Sequence, residues 1–147
     1  MKPIRHVLCA TDLLTTSRNT FETAMALARN ANARLTILHV LAPPIVVPEQ
    51  YLDAVALDQL QKRARAWGLK ELQKLSVRAN RANVETSVLL RNGEPAEEIV
   101  RAGRASKADL IVTGTHGRRG LQRLFLGSVA QRVAASASCP VVTVRGK

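Results

Sequence analysis

The sequence has little aromatic character, few cysteines and no long apolar run. Aromatic residues make up 3% of its 147 residues, which disfavours a nucleic-acid surface that stacks bases on aromatic rings. Cys9 and Cys139 are too few for a disulfide framework and predict free thiols in a reducing cytosol. Charge interrupts every apolar run, which excludes a transmembrane helix, and no signal-peptide core precedes Asp12. We therefore expect a cytoplasmic protein that does not enter the membrane.

Acidic residues are also scarce, above all at the carboxyl end. The chain has 22 Lys and Arg against 11 Asp and Glu, a formal charge of +11, and no acidic residue follows Asp109. This balance favours an anionic partner, such as a nucleotide, nucleic acid or anionic lipid headgroup, without choosing between them. Some cations share one stripe of a predicted long helix, where a solvent-exposed face is the simpler interpretation and a partner surface the alternative: Arg63, Lys70, Lys74, Arg78 and Arg81.

What the sequence does contain is an alternation of short β-type runs with helical runs. The predicted strands are Ile4–Ala10, Arg34–Val40, Val84–Leu90, Asp109–Thr113 and Val141–Arg145. The predicted helices are Ser17–Asn30, a long one from about Tyr51 to about Asn80, one that begins at Pro95, and Ser128–Ser138. This alternation predicts one α/β domain over residues 1–147, with a mainly parallel five-stranded sheet and helices on both faces. By analogy with doubly wound folds, we expect the strand order 3-2-1-4-5.

Two of the helical patterns also predict core positions. The first helix places Phe21, Ala24, Met25 and Ala28 on one face. On the long helix, Trp67 follows Leu60 and Ala64 at helical spacing, and we interpret this group as core rather than as a platform for a ligand.

The most unusual segment is a basic glycine loop between the fourth predicted strand and the last predicted helix. Half of the eight glycines lie in it, in the run Gly114-Thr-His-Gly117-Arg-Arg-Gly120-Leu-Gln-Arg-Leu-Phe-Leu-Gly127-Ser128. A strand, a glycine loop and a helix that begins at a serine present backbone N–H groups to phosphate. The run lacks the Gly-Lys-Ser/Thr of a P-loop, and the first strand lacks the glycines of a dinucleotide fingerprint.

The position of this loop predicts a ligand site. Ligands of doubly wound sheets bind beyond the carboxyl ends of the strands. If strands one and four are neighbours, the glycine loop and Thr11-Asp12 line the same crevice.

The spacing Gly114-x2-Gly117-x9-Gly127-Ser128 resembles the ATP-binding motif of the universal stress protein family. The resemblance extends over most of the chain, through Val7-Leu-Cys-Ala-Thr-Asp12, Leu38-His39-Val40, Gly93-Glu-Pro-Ala-Glu-Glu-Ile99, Ala108-Asp-Leu-Ile-Val112 and Cys139-Pro-Val141. The chain departs from the family pattern directly after Asp12, where Leu13-Leu14 replace the usual small Gly-Ser or Phe-Ser pair.

The resemblance implies an ATP site with a role for each matching residue. Its base end would be contacted by Asp12 and Val40. In the middle of the site, Gly114 and Gly117 would let the backbone approach the ribose and phosphates. At the helix N-terminus the phosphates would be held by Gly127, Ser128 and Val129, and Ser128 would also cap the helix.

The arginines of the loop leave two interpretations open. Arg118, with Arg119 and Arg123, either neutralises the triphosphate or forms a solvated surface charge. His116 is more simply an exposed loop residue, and His39 a structural one. The three histidines and two cysteines lack the spacing of a metal site.

Efficient phosphoryl transfer requires a positioned nucleophile, a metal and groups that hold both. Asp109 opens the fourth strand at the far edge of the sheet, Glu94 lies further from the crevice, and Asp12 is the only carboxylate that we place beside the site. Mg²⁺ has a route to the site through the phosphates and the Ser128 hydroxyl. We therefore expect an ATP-binding regulatory, stress-response protein with at most slow hydrolysis.

The alternative is a non-enzymatic interaction module that uses its basic surface to bind nucleic acid or an acidic protein. The resemblance also implies a homodimer through the last strand, where Val141–Val144 is a β-branched edge candidate.

Overall fold

The computed structural model describes residues 2–43, 53–115 and 126–146. Its strands are β1 (His6–Ala10), β2 (Arg34–Leu41), β3 (Thr86–Asn92), β4 (Leu110–Gly114) and β5 (Val141–Val144). Its helices are α1 (Arg18–Ala31), preceded by a short 3-10 turn, α2 (Ala54–Arg81), α3 (Pro95–Ala105) and α4 (Ser128–Ser136). The strands of the described segments form one sheet of order β3-β2-β1-β4-β5 with every pairing parallel. The predicted fold class and strand order are confirmed, and each predicted boundary lies within three residues of the observed one.

The central strand β1 divides the core into two layers. All five of its residues are buried, and their alternation sends Val7 and Cys9 towards α1 and α2, and Leu8 and Ala10 towards α3 and α4. The predicted core face of α1 is confirmed, with Met25 packed against the layer that buries Phe21, Ala24 and Ala28. Burial raises the pKa of the Cys9 thiol to about 12, so this free cysteine is inert near neutral pH.

The predicted core role of the first half of α2 is wrong. Leu60 is 61% exposed, Trp67 is 40% exposed and Ala64 is exposed as well. The reason is length, because the 28 residues of α2 span about 42 Å, whereas β2 and β3 beneath it span about 25 Å. The helical period was correct, but this half of the helix extends beyond the sheet, and the first buried residue of α2 is Gly68.

No helix within the described segments is long and apolar enough to cross a membrane. A cytoplasmic location stays a prediction.

A chain of hydrogen bonds crosses the amino edge of the sheet around the buried His6. Its Nδ1 atom lies 3.0 Å from the Ser106 carbonyl oxygen, and its Nε2 atom 2.8 Å from the Thr36 hydroxyl, which in turn contacts Ser87 Oγ at 3.0 Å. Because a carbonyl only accepts, Nδ1 carries the proton and Nε2 of the neutral ring accepts from Thr36. Burial lowers the pKa of His6, and the charge of Arg34 lowers it further. The hydrogen bond to the Ser106 carbonyl and the charge of Asp109 raise the pKa, but the net shift is downward.

This histidine predicts a loss of stability on mild acidification. The unfolded chain takes up the proton with the ordinary pKa of 6.5, whereas the folded chain resists it. The contribution of His6 is therefore complete above pH 6.5 and is lost as pH falls towards the lowered pKa of the folded state. Urea unfolding between pH 7.5 and 5 measures the slope of the free energy of unfolding against pH, and His6→Gln should make this slope smaller. Equal slopes for the two proteins would contradict the assignment.

Candidate functional site

A cavity of about 1260 Å³ opens at the carboxyl edge of the sheet. Its floor is formed where β1 and β4 lie side by side, paired in parallel from Val7 opposite Leu110 to Ala10 opposite Thr113. One wall is the start of α4, and another is the exposed first half of α2, which contributes Leu57, Leu60 and Ala64. The predicted adjacency of strands one and four is confirmed, and with it the shared crevice.

Six of the eight predicted site residues line this cavity: Asp12, Val40, Gly114, Gly127, Ser128 and Val129. The other two, Gly117 and Arg118, lie outside the described residues, as do His116, Arg119 and Arg123. Parallel topology brings the six together, since each lies at the carboxyl end of a strand or at the start of the helix that follows β4. Their contacts with a ligand stay predictions.

A tight turn after β1 fixes the carboxylate of Asp12. Its Oδ1 atom accepts a hydrogen bond from the Leu14 backbone N–H at 2.9 Å and a second one from the Ser17 hydroxyl. The Leu13 N–H donates to Thr11 Oγ1 at 3.0 Å, and Leu13 itself has a φ of 64°. A leucine thus holds the left-handed conformation at the position where the resembled pattern often has glycine.

The end of β1 leaves backbone groups of β2 unpaired at the cavity. The β1–β2 register ends at Ala10 opposite Leu38, and the last bond runs from the Thr11 N–H to the Leu38 carbonyl at 2.9 Å. The Thr11 carbonyl then accepts a hydrogen bond from the buried His39 Nδ1, also at 2.9 Å. Because alternate residues of a strand bond to the same side, the N–H and C=O of Val40 point to where β1 has turned away. Among the described residues no backbone group of β1 pairs with them.

The start of α4 presents a second set of backbone groups. Gly127 is the N-cap, with φ −61° and ψ 159°, and its carbonyl accepts the first helical bond from the Gln131 N–H at 3.0 Å. The predicted capping role of Ser128 is therefore wrong, because Ser128 is already the first helical residue. No side chain caps this helix, so its first N–H groups and the positive end of its dipole are available to an anion.

Ion pairs and hydrogen bonds hold α4 in place. The Gly127 N–H donates to the Thr115 carbonyl at the end of β4. Arg132 pairs with Glu94 at 2.8 Å, and Glu94 also caps α3 by accepting from the Glu97 N–H at 2.8 Å. The helix that carries Ser128 is thus tied both to β4 and to the connection between β3 and α3.

Sequence reasoning placed Thr11 and Thr115 only as parts of the two loops at this edge, and it missed Ser17. All three line the cavity, and the buried Thr115 hydroxyl has no hydrogen-bond partner within the described segments. The only sequence signal for Ser17 was its place at the start of a helix, which is typical of a cap rather than of a site residue.

The carboxylates around the cavity differ in part from the prediction. Asp109 lies at the opposite edge, as predicted, where it accepts the backbone N–H groups of Arg5 and His6 at 2.9 and 3.0 Å. These bonds lower the pKa of Asp109. Asp12 is not the only carboxylate beside the site, because Asp58 of α2 also lines the cavity and pairs with Lys62 at 3.0 Å. Within the described segments no group of three or more His, Cys, Asp or Glu could hold a metal ion.

Comparison with known proteins gives one consistent result. The sequence model of the Universal stress protein family matches residues 3–145. The chain is 32% identical over 144 residues to universal stress protein YxiE of Bacillus subtilis, covering 95% of this chain and 97% of YxiE.

Two solved structures with a similar fold contain nucleotides. A universal stress protein in complex with cAMP has a TM-score of 0.73 and 23% identity, with 98% of each chain covered. The universal stress protein of Archaeoglobus fulgidus in complex with dAMP has a TM-score of 0.65 and 21% identity, with coverage of 97% of this chain and 98% of that one.

Proposed function

The chain belongs to the universal stress protein family, and we propose that it is an ATP-binding regulatory protein of the stress response. One observation carries the proposal: six of the predicted ATP-site residues, from separate segments, line a single cavity at the carboxyl edge of the sheet. Nucleotides in two structures of similar fold support a nucleotide ligand.

The two ends of the cavity fit the two ends of ATP. At one end Val40 offers an N–H and a C=O, and Asp12 offers a carboxylate, which suits the polar edge of a base. At the other end the uncapped start of α4, with the Ser128 hydroxyl, suits the phosphates. The formal charge of +11 is favourable to an anionic ligand of this kind. When Mg²⁺ accompanies ATP, the phosphates and Ser128 would hold it.

Hydrolysis by this site would be slow at most. Of the two carboxylates that line the described cavity, Asp12 is assigned to the end that would hold the base, and Asp58 pairs with Lys62 on an exposed helix face. Neither is therefore placed as a free base for a water molecule beside the phosphates. ATP would act as a bound signal.

The direct test is to identify the nucleotide that the protein retains. Freshly purified protein is denatured, and the released small molecules are identified by mass spectrometry. Isothermal titration of nucleotide-free protein with ATP and Mg²⁺ then measures affinity. We expect ATP in the first experiment and saturable heat in the second. Absence of released nucleotide, of heat and of a thermal shift with ATP would overturn the proposal.

We also propose a homodimer that forms through β5. This strand is an edge of the described sheet, since only β4 pairs with it. The Pro140 carbonyl accepts from the Ile111 N–H at 3.0 Å and the Val144 carbonyl from the Thr115 N–H at 2.9 Å. Alternation therefore points the backbone groups of Val141 and Thr143 outward. An outward row of N–H and C=O groups on a β-branched strand invites pairing with a second copy.

Thr143→Pro should convert this dimer to a monomer without unfolding the chain. Proline removes the outward N–H of Thr143 and leaves the inward bonds to β4 in place. Light scattering should give about twice the 16.0 kDa chain mass for the natural protein and the chain mass for the variant. Thr143→Val keeps the N–H and should remain dimeric. A monomeric natural protein at working concentration would contradict the interface.

A further inference from the structure

The hydroxyl of Ser17 has an unusual hydrogen-bond partner. Ser17 is the N-cap residue of α1, a position where a serine hydroxyl commonly accepts a hydrogen bond from the backbone of the first helical turn. Here the side chain makes no such cap, and its hydroxyl donates instead to Asp12 Oδ1. Because Ser17 and Asp12 both line the cavity, this bond stabilises the site and not the helix start.

Two donors on one oxygen set the orientation of the Asp12 carboxylate. Oδ1 accepts from the Leu14 N–H at 2.9 Å and from the Ser17 hydroxyl, while Oδ2 has no partner within the described segments. An ionised carboxylate only accepts hydrogen bonds. A ligand group that meets Oδ2 must therefore be a donor, an N–H or an O–H.

The backbone of Val40 indicates which donor group of the ligand meets Asp12 Oδ2. Asp12 and Val40 each lie two residues beyond the last register pair of β1 and β2, which is Ala10 with Leu38. The Val40 N–H and C=O offer one donor and one acceptor, which matches a base edge with a ring nitrogen beside an exocyclic amine. Such an amine carries two hydrogens, enough for the Val40 carbonyl and for Asp12 Oδ2. A 6-oxo purine would instead turn a carbonyl oxygen towards two acceptors.

We propose that Ser17 is a positioning residue that aims the second oxygen of Asp12 at the exocyclic amine of the base, which makes the site selective for 6-amino over 6-oxo purines. The inference depends on the proposed nucleotide site and adds a physical reason for that site to select one class of purine. Ser17 acts through Asp12 and need not touch the ligand.

The natural protein provides the first test. We expect ATP to bind at least about tenfold more tightly than ITP, which has a 6-oxo group and the same ribose and triphosphate, because an acceptor that faces another acceptor loses its hydrogen bond. Equal affinity for ATP and ITP would overturn the proposal and leave nucleotide binding intact. Failure of both nucleotides to bind would overturn the proposed function itself.

Ser17→Ala tests the positioning role. Loss of one donor frees the carboxylate to rotate, so the preference for ATP over ITP should fall by about five- to tenfold, through weaker ATP binding at unchanged ITP affinity. Thr16→Ala removes a neighbouring exposed hydroxyl of the same turn and should keep the natural preference. Ser17→Thr, which keeps the donor, should restore it. An unchanged preference in Ser17→Ala would contradict the role.

One further comparison separates the base from the sugar. If Asp12 met a ribose hydroxyl, 2′-deoxy-ATP would bind more weakly than ATP, and Ser17→Ala would remove that difference instead of the one between ATP and ITP. That result would overturn the proposal. Urea unfolding of Ser17→Ala should show a cooperative transition with only the small loss of stability of one side-chain hydrogen bond, since this side chain does not cap α1.

Discussion

Gly127→Val should abolish measurable ATP binding and leave the fold intact. Gly127 lies at the N-cap of α4 with φ −61° and ψ 159°, a conformation open to any residue, so the backbone need not change. The valine side chain would stand at the helix start, where we place the phosphates, and would keep them from the first N–H groups. We expect affinity to fall by roughly 100-fold or more, about 2.7 kcal/mol, in isothermal titration.

The matched control for this experiment is Ala135→Val, an exposed position near the other end of α4. It places the same side chain on the same helix and should leave ATP affinity unchanged. The unfolding midpoint of Gly127→Val should drop only slightly, because valine is a poorer N-cap than glycine. If Gly127→Val bound ATP as tightly as the natural protein, the phosphates would lie elsewhere. If salt-dependent binding to duplex DNA existed and survived in Gly127→Val, the alternative of a basic interaction module would be favoured.

The convergence of the candidate site was predictable because it follows from topology. Once all strands run parallel, the residues that follow them meet at one edge, and a central position for β1 places Asp12 beside Gly114. No side-chain detail is needed for that step. The amino edge is equally predictable, and Asp109 lies there as expected.

Features that depend on lengths and on single hydrogen bonds were not predictable. The overhang of α2 depends on how far a helix exceeds the strands beneath it, and this overhang exposes Trp67 and brings Asp58 to the cavity. Glycine and serine are both good N-caps, so the sequence did not decide between Gly127 and Ser128. A positive φ at Leu13 is unexpected because leucine rarely adopts it, and only the surrounding turn enforces it.

The basic stripe predicted on α2 illustrates the same limit. Its spacing is compatible with one helix face, but two of its cations have acidic partners, one on a neighbouring helix and one within α2. Arg78 pairs with Glu22 of α1 and stacks on the Phe21 ring at 5.2 Å, while Lys74 pairs with Glu71. A helix that packs on a neighbour therefore keeps fewer free cations than its sequence indicates, which weakens the case for an anionic partner on this stripe.

Gly93→Ala should destabilise the protein by roughly 2–4 kcal/mol. Gly93 directly follows β3 and has a φ of +147°, a conformation that residues with a side chain rarely adopt. An added Cβ would lie 2.8 Å from Glu98 Cγ and 3.0 Å from its Oε1. Glu98 cannot move freely, because it is only 7% exposed and pairs with Arg101 at 2.8 Å. Backbone strain and the displaced carboxylate therefore act together.

The opposite expectation for Gly68→Ala makes the measurement specific. Gly68 lies inside α2, and its added Cβ would meet Leu90 Cδ1 at 3.3 Å, a contact that a flexible side chain relieves. Alanine gains about 1 kcal/mol of helix propensity there, so stability should change little or rise. Urea unfolding of both variants gives the comparison. If Gly93→Ala changed stability as little as Gly68→Ala, the backbone would not require glycine at position 93, and the reason for this glycine would lie in the adjoining cavity, which Gly93 also lines.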